Sequence, residues 1–288
     1  MNVQPSRFKL CSMNVEDPFD LVIRNDCKQW DCPRAKKYQS IKFCNHKALE
    51  ENQLEQKKKE LWGKKFKQIV TLIKNSHLIA LQELEDSFVK DLKEKCKDLE
   101  IYPEQGGYHY VCQKKPYAVL ICDTKKWEVK KKWMYERFPI LDLYDKKTQK
   151  TIRVASVHFT GYDIENKSDS TTGDKELEML VEEMEKDGLK GISGCLIMGD
   201  FNAPPDSVRC KKLQETYKFQ WLPIDKDLPK HTHTNIYTEK QNILDYIFYK
   251  DLTVTCRKKS LPTQITFEGE NRVSDHIPVY GTLTLTQL

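Results

Sequence analysis

Apolar residues recur along the chain in short bursts that stop at polar or charged positions. The spacing inside each burst separates strands from helices. Phe8-Lys-Leu-Cys-Ser-Met-Asn-Val15 alternates and predicts a strand ending near Asn14 and Glu16. His77-Leu-Ile-Ala-Leu-Gln-Glu83 is an apolar run that closes on an acid, and Cys195-Leu-Ile-Met198 repeats that design. The latter gives way to Gly199, Asp200 and Asn202 before Pro204 and Pro205 stop the element, as expected of a buried strand. Two positions apart, Asp200 and Asn202 are expected to project to the same side. Residues 116–122 and 127–132 predict neighbouring strands around a short turn. Residues 140–144 and 151–159 predict a hairpin through Asp145-Lys146-Lys147, its second strand carrying His158. Residues 243–249 (with Asp245), 253–255 and 279–284 complete the strands. Helical spacing marks 47–75, where Leu61, Phe66, Ile69, Val70 and Ile73 share a face, and also 86–99, 175–186 and 207–217. Residues 17–45 show no clean period, and 168–173 reads as a polar loop.

No composition shift, repeat or long linker divides the 288 residues, so one domain spanning 1–288 is expected, with an insertion near 24–55. Mean hydropathy is −0.69, and no apolar run approaches the roughly 20 residues that span a bilayer. Residues 1–10 lack the apolar core of a signal peptide, so a cytoplasmic or nuclear location is expected. The ten cysteines are scattered and fit a reduced protein rather than a disulfide framework. Cys27, Cys32, Cys44 and His46 cluster, but their spacing matches no usual zinc pattern, and free thiols in an insertion are expected. Lysine and arginine (48) exceed aspartate and glutamate (43), a mild basic excess. Much of it lies in clusters such as Lys57-Lys58-Lys59, Lys125-Lys126, Lys130-Lys131-Lys132 and Lys258-Lys259. A subset is a candidate footprint for a phosphate backbone. The aromatics among them (Trp62, Phe66, Trp127 and Trp133) have the spacing of core residues rather than of a stacking platform.

Polar groups therefore stand at or near the ends of several strands: Asn14, Glu16, Glu83, His158, Asp200, Asn202, Asp245, Asp275 and His276. Collecting such groups at strand ends is how open α/β sheets assemble an active-site crevice. Oxygen donors without a thiolate favour Mg2+ or Mn2+ over zinc. His231 and His233 fall in a polar loop and read as surface residues facing the cleft.

Six pieces carry a resemblance: Met13-Asn-Val-Glu16, Leu81-Gln-Glu83, Ser156-Val-His-Phe159, Gly199-Asp-Phe-Asn202, Leu244-Asp-Tyr-Ile-Phe248 and Ser274-Asp-His-Ile-Pro278. In this order they resemble the motifs of the endonuclease/exonuclease/phosphatase (DNase I-like) superfamily. The resemblance implies an α/β four-layer sandwich, two mixed β-sheets packed face to face and flanked by helices. It also implies hydrolysis of a phosphodiester with a divalent cation. By that resemblance Glu83 is the principal metal ligand, with Asn14, Glu16 and Asp275 as ligands or supporting groups. Asp200 is the general base, and Asn202 holds the water or phosphate. His276 contacts the phosphate with Asp245 behind it, and His158 grips a second oxygen or protonates the leaving group.

The shared residues handle any phosphodiester, so the resemblance leaves the substrate open. A nuclease acting on DNA or RNA as a monomer is the first expectation. Asp200-Phe-Asn-Ala-Pro-Pro-Asp-Ser207 also resembles the deadenylase-like branch of 3′ RNA exonucleases. A sphingomyelin or inositol-phosphate esterase would need an apolar membrane-facing loop, which the polar stretch 160–175 does not offer. A non-enzymatic binding protein would have no reason to retain the whole set.

Overall fold

The computed structural model describes residues 4–15, 51–84, 86–104, 118–161, 171–222, 231–234, 240–256 and 274–287. Glu16, the Cys27/Cys32/Cys44/His46 cluster, Lys258-Lys259 and most of the expected insertion lie outside them. Residues 51–55 of that insertion belong to the first helix, α1 (Glu51–Lys74).

Two six-stranded sheets form the body of the molecule. The first runs β13 (Thr253–Cys256), β14 (Val279–Leu285), β1 (Ser6–Asn14), β2 (Leu78–Gln82), β4 (Ala118–Asp123), β3 (Leu99–Tyr102). The second runs β5 (Glu128–Tyr135), β6 (Phe138–Asp145), β7 (Lys150–His158), β8 (Cys195–Asp200), β12 (Asp245–Lys250), β9 (Gln220–Trp221). Each is mixed in the same way. One parallel pair, β1 with β2 and β7 with β8, is flanked on both sides by antiparallel partners. A two-stranded ribbon, β10 (His233–Thr234) with β11 (Gln241–Asn242), stands apart from them.

Strand side chains alternate between faces, and the buried residues sort by that alternation into three layers. Leu10, Leu78, Ala80 and Leu120 meet Leu141, Ile152, Val154, Leu196, Met198 and Ile247 between the sheets. The opposite face of the first sheet (Cys11, Met13, Ile79, Leu81, Val119, Ile121) is covered by two helices. Ile69, Leu72 and Ile73 come from α1, and Phe88, Val89 and Leu92 from α2 (Asp86–Lys95). The outer face of the second sheet (Val157, Ile197, Tyr246, Phe248) is covered by α3 (Thr171–Glu185) and α4 (Val208–Glu215). From α3 come Leu177, Leu180, Val181 and Met184, an i, i+3, i+4, i+7 stripe. The order helix, sheet, sheet, helix is the four-layer sandwich that the resemblance implies.

Three local expectations change. The helix expected over 86–99 ends at Lys95, because Leu99–Tyr102 pairs with β4 as an edge strand, and ladder bonding overrides the helical charge pattern. β4 and β5 are not neighbours: β4 bonds β2 and β3, whereas β5 bonds β6. The turn at Asp123–Trp127 therefore carries the chain from one sheet to the other, a difference to which alternation is blind. Residues 171–173 of the expected loop open α3. Among the described residues no helix is long and apolar enough to cross a membrane.

Candidate active site

The alternation that builds the inner core also delivers the site. Continuing the inward parity of Leu10, Ala80, Val154, Met198 and Ile247 to the strand ends reaches Asn14, Gln82, His158, Asp200 and Asp245. Register aligns them. Asn14 faces Gln82 across the β1–β2 pair, His158 faces Asp200 across β7–β8, and Asp245 faces Asp200 across β12–β8. The inter-sheet space thus turns from apolar to polar toward one end, where the Gln82 amide donates to Ser156 Oγ from sheet to sheet at 3.1 Å.

Asp200 lies at the centre and is buried. Its Oδ1 accepts the Asn202 N–H at 2.7 Å and its Oδ2 accepts Asn14 Nδ2 at 3.0 Å. His158 Nε2 and His276 Nε2 stand 3.7 and 3.8 Å from Oδ2, on either side. Asn14 Nδ2 also donates to Glu83 Oε1 at 3.0 Å, which lies 3.5 Å from His158 Nε2. Asn14 therefore bridges two carboxylates through its amide nitrogen.

Backbone geometry aims these groups. Glu83, one residue past β2, has the wrong parity for the inner face, but its φ of 59° takes it out of the extended conformation. Gly199 (φ 148°) packs so closely on β7 that a Cβ would lie 2.0 Å from the Val157 carbonyl oxygen. No other residue fits immediately before Asp200. The extended spacing expected of Asp200 and Asn202 ends at Asp200. Asn202 has φ 46°, its N–H caps Asp200, and its side-chain nitrogen donates to the Phe159 carbonyl at 3.0 Å.

On the other flank, His276 Nδ1 meets Asp245 Oδ2 at 2.7 Å. Burial works against a charged imidazole, but the Asp245, Asp275 and Asp200 carboxylates outweigh it and hold His276 well above the usual histidine range. Burial pushes the Asp245 carboxyl up, and His276 and Thr232 pull it back. The Asp275 carboxylate lies 3.7 Å from His276 Nε2 and 3.6 Å from His233 Nε2.

His233, read from the sequence as a surface residue, is half-buried in β10 with its ring 4.7 Å from that of His276. His231 is half-buried as well. Three further residues matter here, Thr232 and Arg209 without any signal in the sequence and Ser274 as a motif residue without an assigned role. Thr232 Oγ1 accepts the N–H groups of Leu244 and Asp245 at 2.8 and 3.0 Å. Ser274 Oγ donates to the Asn14 carbonyl at 2.8 Å and accepts the His276 N–H at 3.1 Å, tying β1 to the last motif. Fully buried Arg209 donates to the carbonyls of Thr160 and Phe201 and, at 3.1 Å, to Asp174. It thereby ties together the loops after His158 and Asp200. Gly173 makes room for it, since a Cβ there would sit 1.9 Å from Arg209 Nη2. An arginine in a charged amphipathic helix gave no such signal.

Four carboxylates (Glu83, Asp200, Asp245 and Asp275) share this mouth with three imidazoles. The four carboxylates concentrate negative charge and hard oxygen donors at the mouth, which suits a divalent cation. Three lysines of the β4–β5 region pair with surface acids. Lys125 pairs with Asp98 at 2.7 Å, Lys130 with Glu128 at 2.5 Å and Lys132 with Glu100 at 2.8 Å. Trp127 is core, stacked on Phe8, and Phe66 and Trp133 also pack on buried clusters.

Solved structures share the architecture. A Bacteroides thetaiotaomicron endonuclease/exonuclease/phosphatase family protein is 12% identical, with 98% of each chain covered and a TM-score of 0.61. TDP2 from D. rerio, complexed with single-strand DNA product, is 12% identical over 96% of this chain and 99% of that one, with a TM-score of 0.62. The B. thetaiotaomicron mannosyl-6-phosphatase Bt3783 is 12% identical over 96% and 98%, with a TM-score of 0.58. At such identities the likeness is one of fold. No curated protein sequence matches this one. The model of the Endonuclease/Exonuclease/phosphatase family matches residues 52–276, from α1 to His276, and by that match the chain belongs to this family.

Proposed function

We propose that the protein is a divalent-metal-dependent phosphodiesterase acting on nucleic acid, with Mg2+ as the resident ion. The observation that carries this reading is Asp200, a buried carboxylate poised between two imidazoles 3.7 and 3.8 Å away and oriented by Asn14 and Asn202. Glu83 would hold the ion, with Asn14 fixing its carboxylate and Asp275 and Glu16 as further oxygen donors. When bound, the ion supplies positive charge against oxygens on which negative charge grows.

Asp200 takes the proton of the attacking water at Oδ2, the oxygen facing both imidazoles, while the Asn202 N–H keeps Oδ1 fixed. His276 donates from Nε2 to a phosphate oxygen. Asp245 anchors Nδ1 and favours the charged ring, so the cation is present before substrate arrives. His158, reaching toward Glu83 and Asp200 from β7, binds a second phosphate oxygen or delivers a proton to the leaving group. Asn202 acts mainly through its backbone, because its amide nitrogen is engaged by Phe159.

Polynucleotide is favoured by the basic balance of the chain and by the DNA product held by the D. rerio relative. Incubation with plasmid, single-stranded DNA, poly(A) RNA and a sphingomyelin analogue, each with Mg2+ or EDTA, tests the reading. Strand cleavage that EDTA stops supports it, and shortening confined to poly(A) selects the deadenylase-like branch. Headgroup release with nucleic acid intact replaces it with the lipid reading, and no turnover of any substrate overturns it.

A further inference from the structure

The mouth has two chemically different flanks. Around Asn14 stand two carboxylates, Glu83 and Asp200, with one imidazole, His158, a set whose charge suits a hard cation. Around Asp275 the donors are two imidazoles and one carboxylate. His233, Asp275 and His276 each present a ligating atom, and these atoms lie within 4.8 Å of one another. The separations are 3.6 Å for His233 Nε2 to Asp275 Oδ2 and 3.7 Å for His276 Nε2 to Asp275 Oδ1. Those are too long for hydrogen bonds. With one ligating atom taken from each residue, the three are close enough for small side-chain adjustments to bring them onto a single ion.

The arrangement is held by backbone rather than left to chance. The Thr234 N–H donates to the Asp275 carbonyl at 2.9 Å and the Ile277 N–H to the Thr232 carbonyl at 2.6 Å. These bonds bracket a bridge that sets His233 beside His276, and β11 supports the other edge of β10. His276 turns Nδ1 to the Asp245 carboxylate and Nε2 toward Asp275. A carboxylate behind a ligating histidine is how proteins orient an imidazole on zinc. His233 is the most exposed of the three, its side chain 13% accessible against 6% for Asp275 and 7% for His276.

We propose that His233, Asp275 and His276 form a second metal subsite, sharing Asp275 with the Mg2+ site and selective for zinc-class ions over Mg2+, whose occupation inhibits hydrolysis. Imidazole donors favour zinc, whereas Mg2+ prefers oxygen. Inhibition follows because the ion displaces the proton from His276 Nε2, releasing it to solvent, and occupies the atom assigned to the substrate phosphate. That half rests on the function proposed above, and the binding half does not.

Binding is measured on the intact protein with exposed thiols alkylated, using Zn2+ alone by calorimetry. Co2+ serves as its spectroscopic substitute, read from paramagnetically shifted imidazole proton resonances. Wild type is compared with His233→Phe and His233→Asn, each verified as folded by circular dichroism and thermal melting. The subsite predicts imidazole resonances shifted by Co2+ in wild type and Zn2+ affinity weakened roughly tenfold or more in both folded variants. It also predicts that the variants need at least as large an increase in Zn2+ for inhibition of Mg2+-supported hydrolysis. Unchanged affinity in either folded variant, or no shifted imidazole resonance, overturns the subsite. Weakened binding with unchanged inhibition overturns the regulatory half. A protein that binds Zn2+ through His233 yet hydrolyses nothing fails the proposed function and leaves the subsite standing.

Discussion

At Asp245 one side chain meets two demands: it anchors His276 Nδ1 at 2.7 Å, and it is buried among other carboxylates. Asp245→Asn keeps the shape and removes the charge that favours the imidazolium. We expect kcat/KM to fall by about 10²- to 10⁴-fold with the melting temperature within a few degrees of wild type. A rate within a few-fold of wild type would contradict the role of the pair. Gly199→Ala is a purely structural test, since the new methyl meets the Val157 carbonyl at 2.0 Å. Destabilisation of about 3 kcal/mol or more is expected in denaturant titration. The buried thiols of Cys122 and Cys195, both pushed up to about 12 by burial, should resist alkylation at pH 8 until the protein unfolds. Peptide mass mapping after labelling reads this directly. At this scale the sequence was informative where a residue stood at the end of an apolar run, as Glu83, Asp200 and Asp245 do. It gave no role to Thr232, to Ser274 within its motif or to His233 beside the cleft, because their importance comes from hydrogen bonds and ring contacts across 12 to 260 positions of chain.

At the scale of elements, period-2 and period-3.6 patterns located β1, β2, β7, β8, β12 and most of each helix. They failed where partner choice decides the outcome. Leu99–Tyr102 is a strand only because β4 lies beside it, and β4 and β5 separate because their ladders lie in different sheets. The two-residue β10 is too short to show a period, so nothing in the pattern marks His233 as a strand residue. The likeness between the two sheets, each with one parallel pair at its centre, is also a matter of pairing and left no repeat in the sequence. Between elements, Arg209 on α4 links the turns after β7 and β8 through two backbone carbonyls. Arg209→Lys keeps the charge but not the planar fork. We expect a lower melting temperature and a reduced kcat for this variant, and Arg209→Met to be worse on both measures. Equal behaviour of the two variants would mean that the guanidinium geometry does not position the loops.

For the molecule as a whole, the sandwich is what makes the site possible. Its two sheets bring residues from positions 14 to 276 to one end of a shared apolar interior: inward parity delivers Asn14, His158, Asp200 and Asp245, and the backbone just beyond the strands delivers Glu83 and His276. Leu196→Ala, deep between the sheets and well removed from the mouth, should cost about 2–5 kcal/mol while leaving the chemical step of the folded fraction nearly unchanged. Active-site titration separates the two effects. The most direct test of the account is single-turnover cleavage of single-stranded DNA with Mg2+ by folded Asp200→Asn beside wild type. Metal-dependent cleavage by wild type and a loss of about 10²- to 10⁴-fold in the variant are expected. Cleavage by the variant at the wild-type rate would contradict the account.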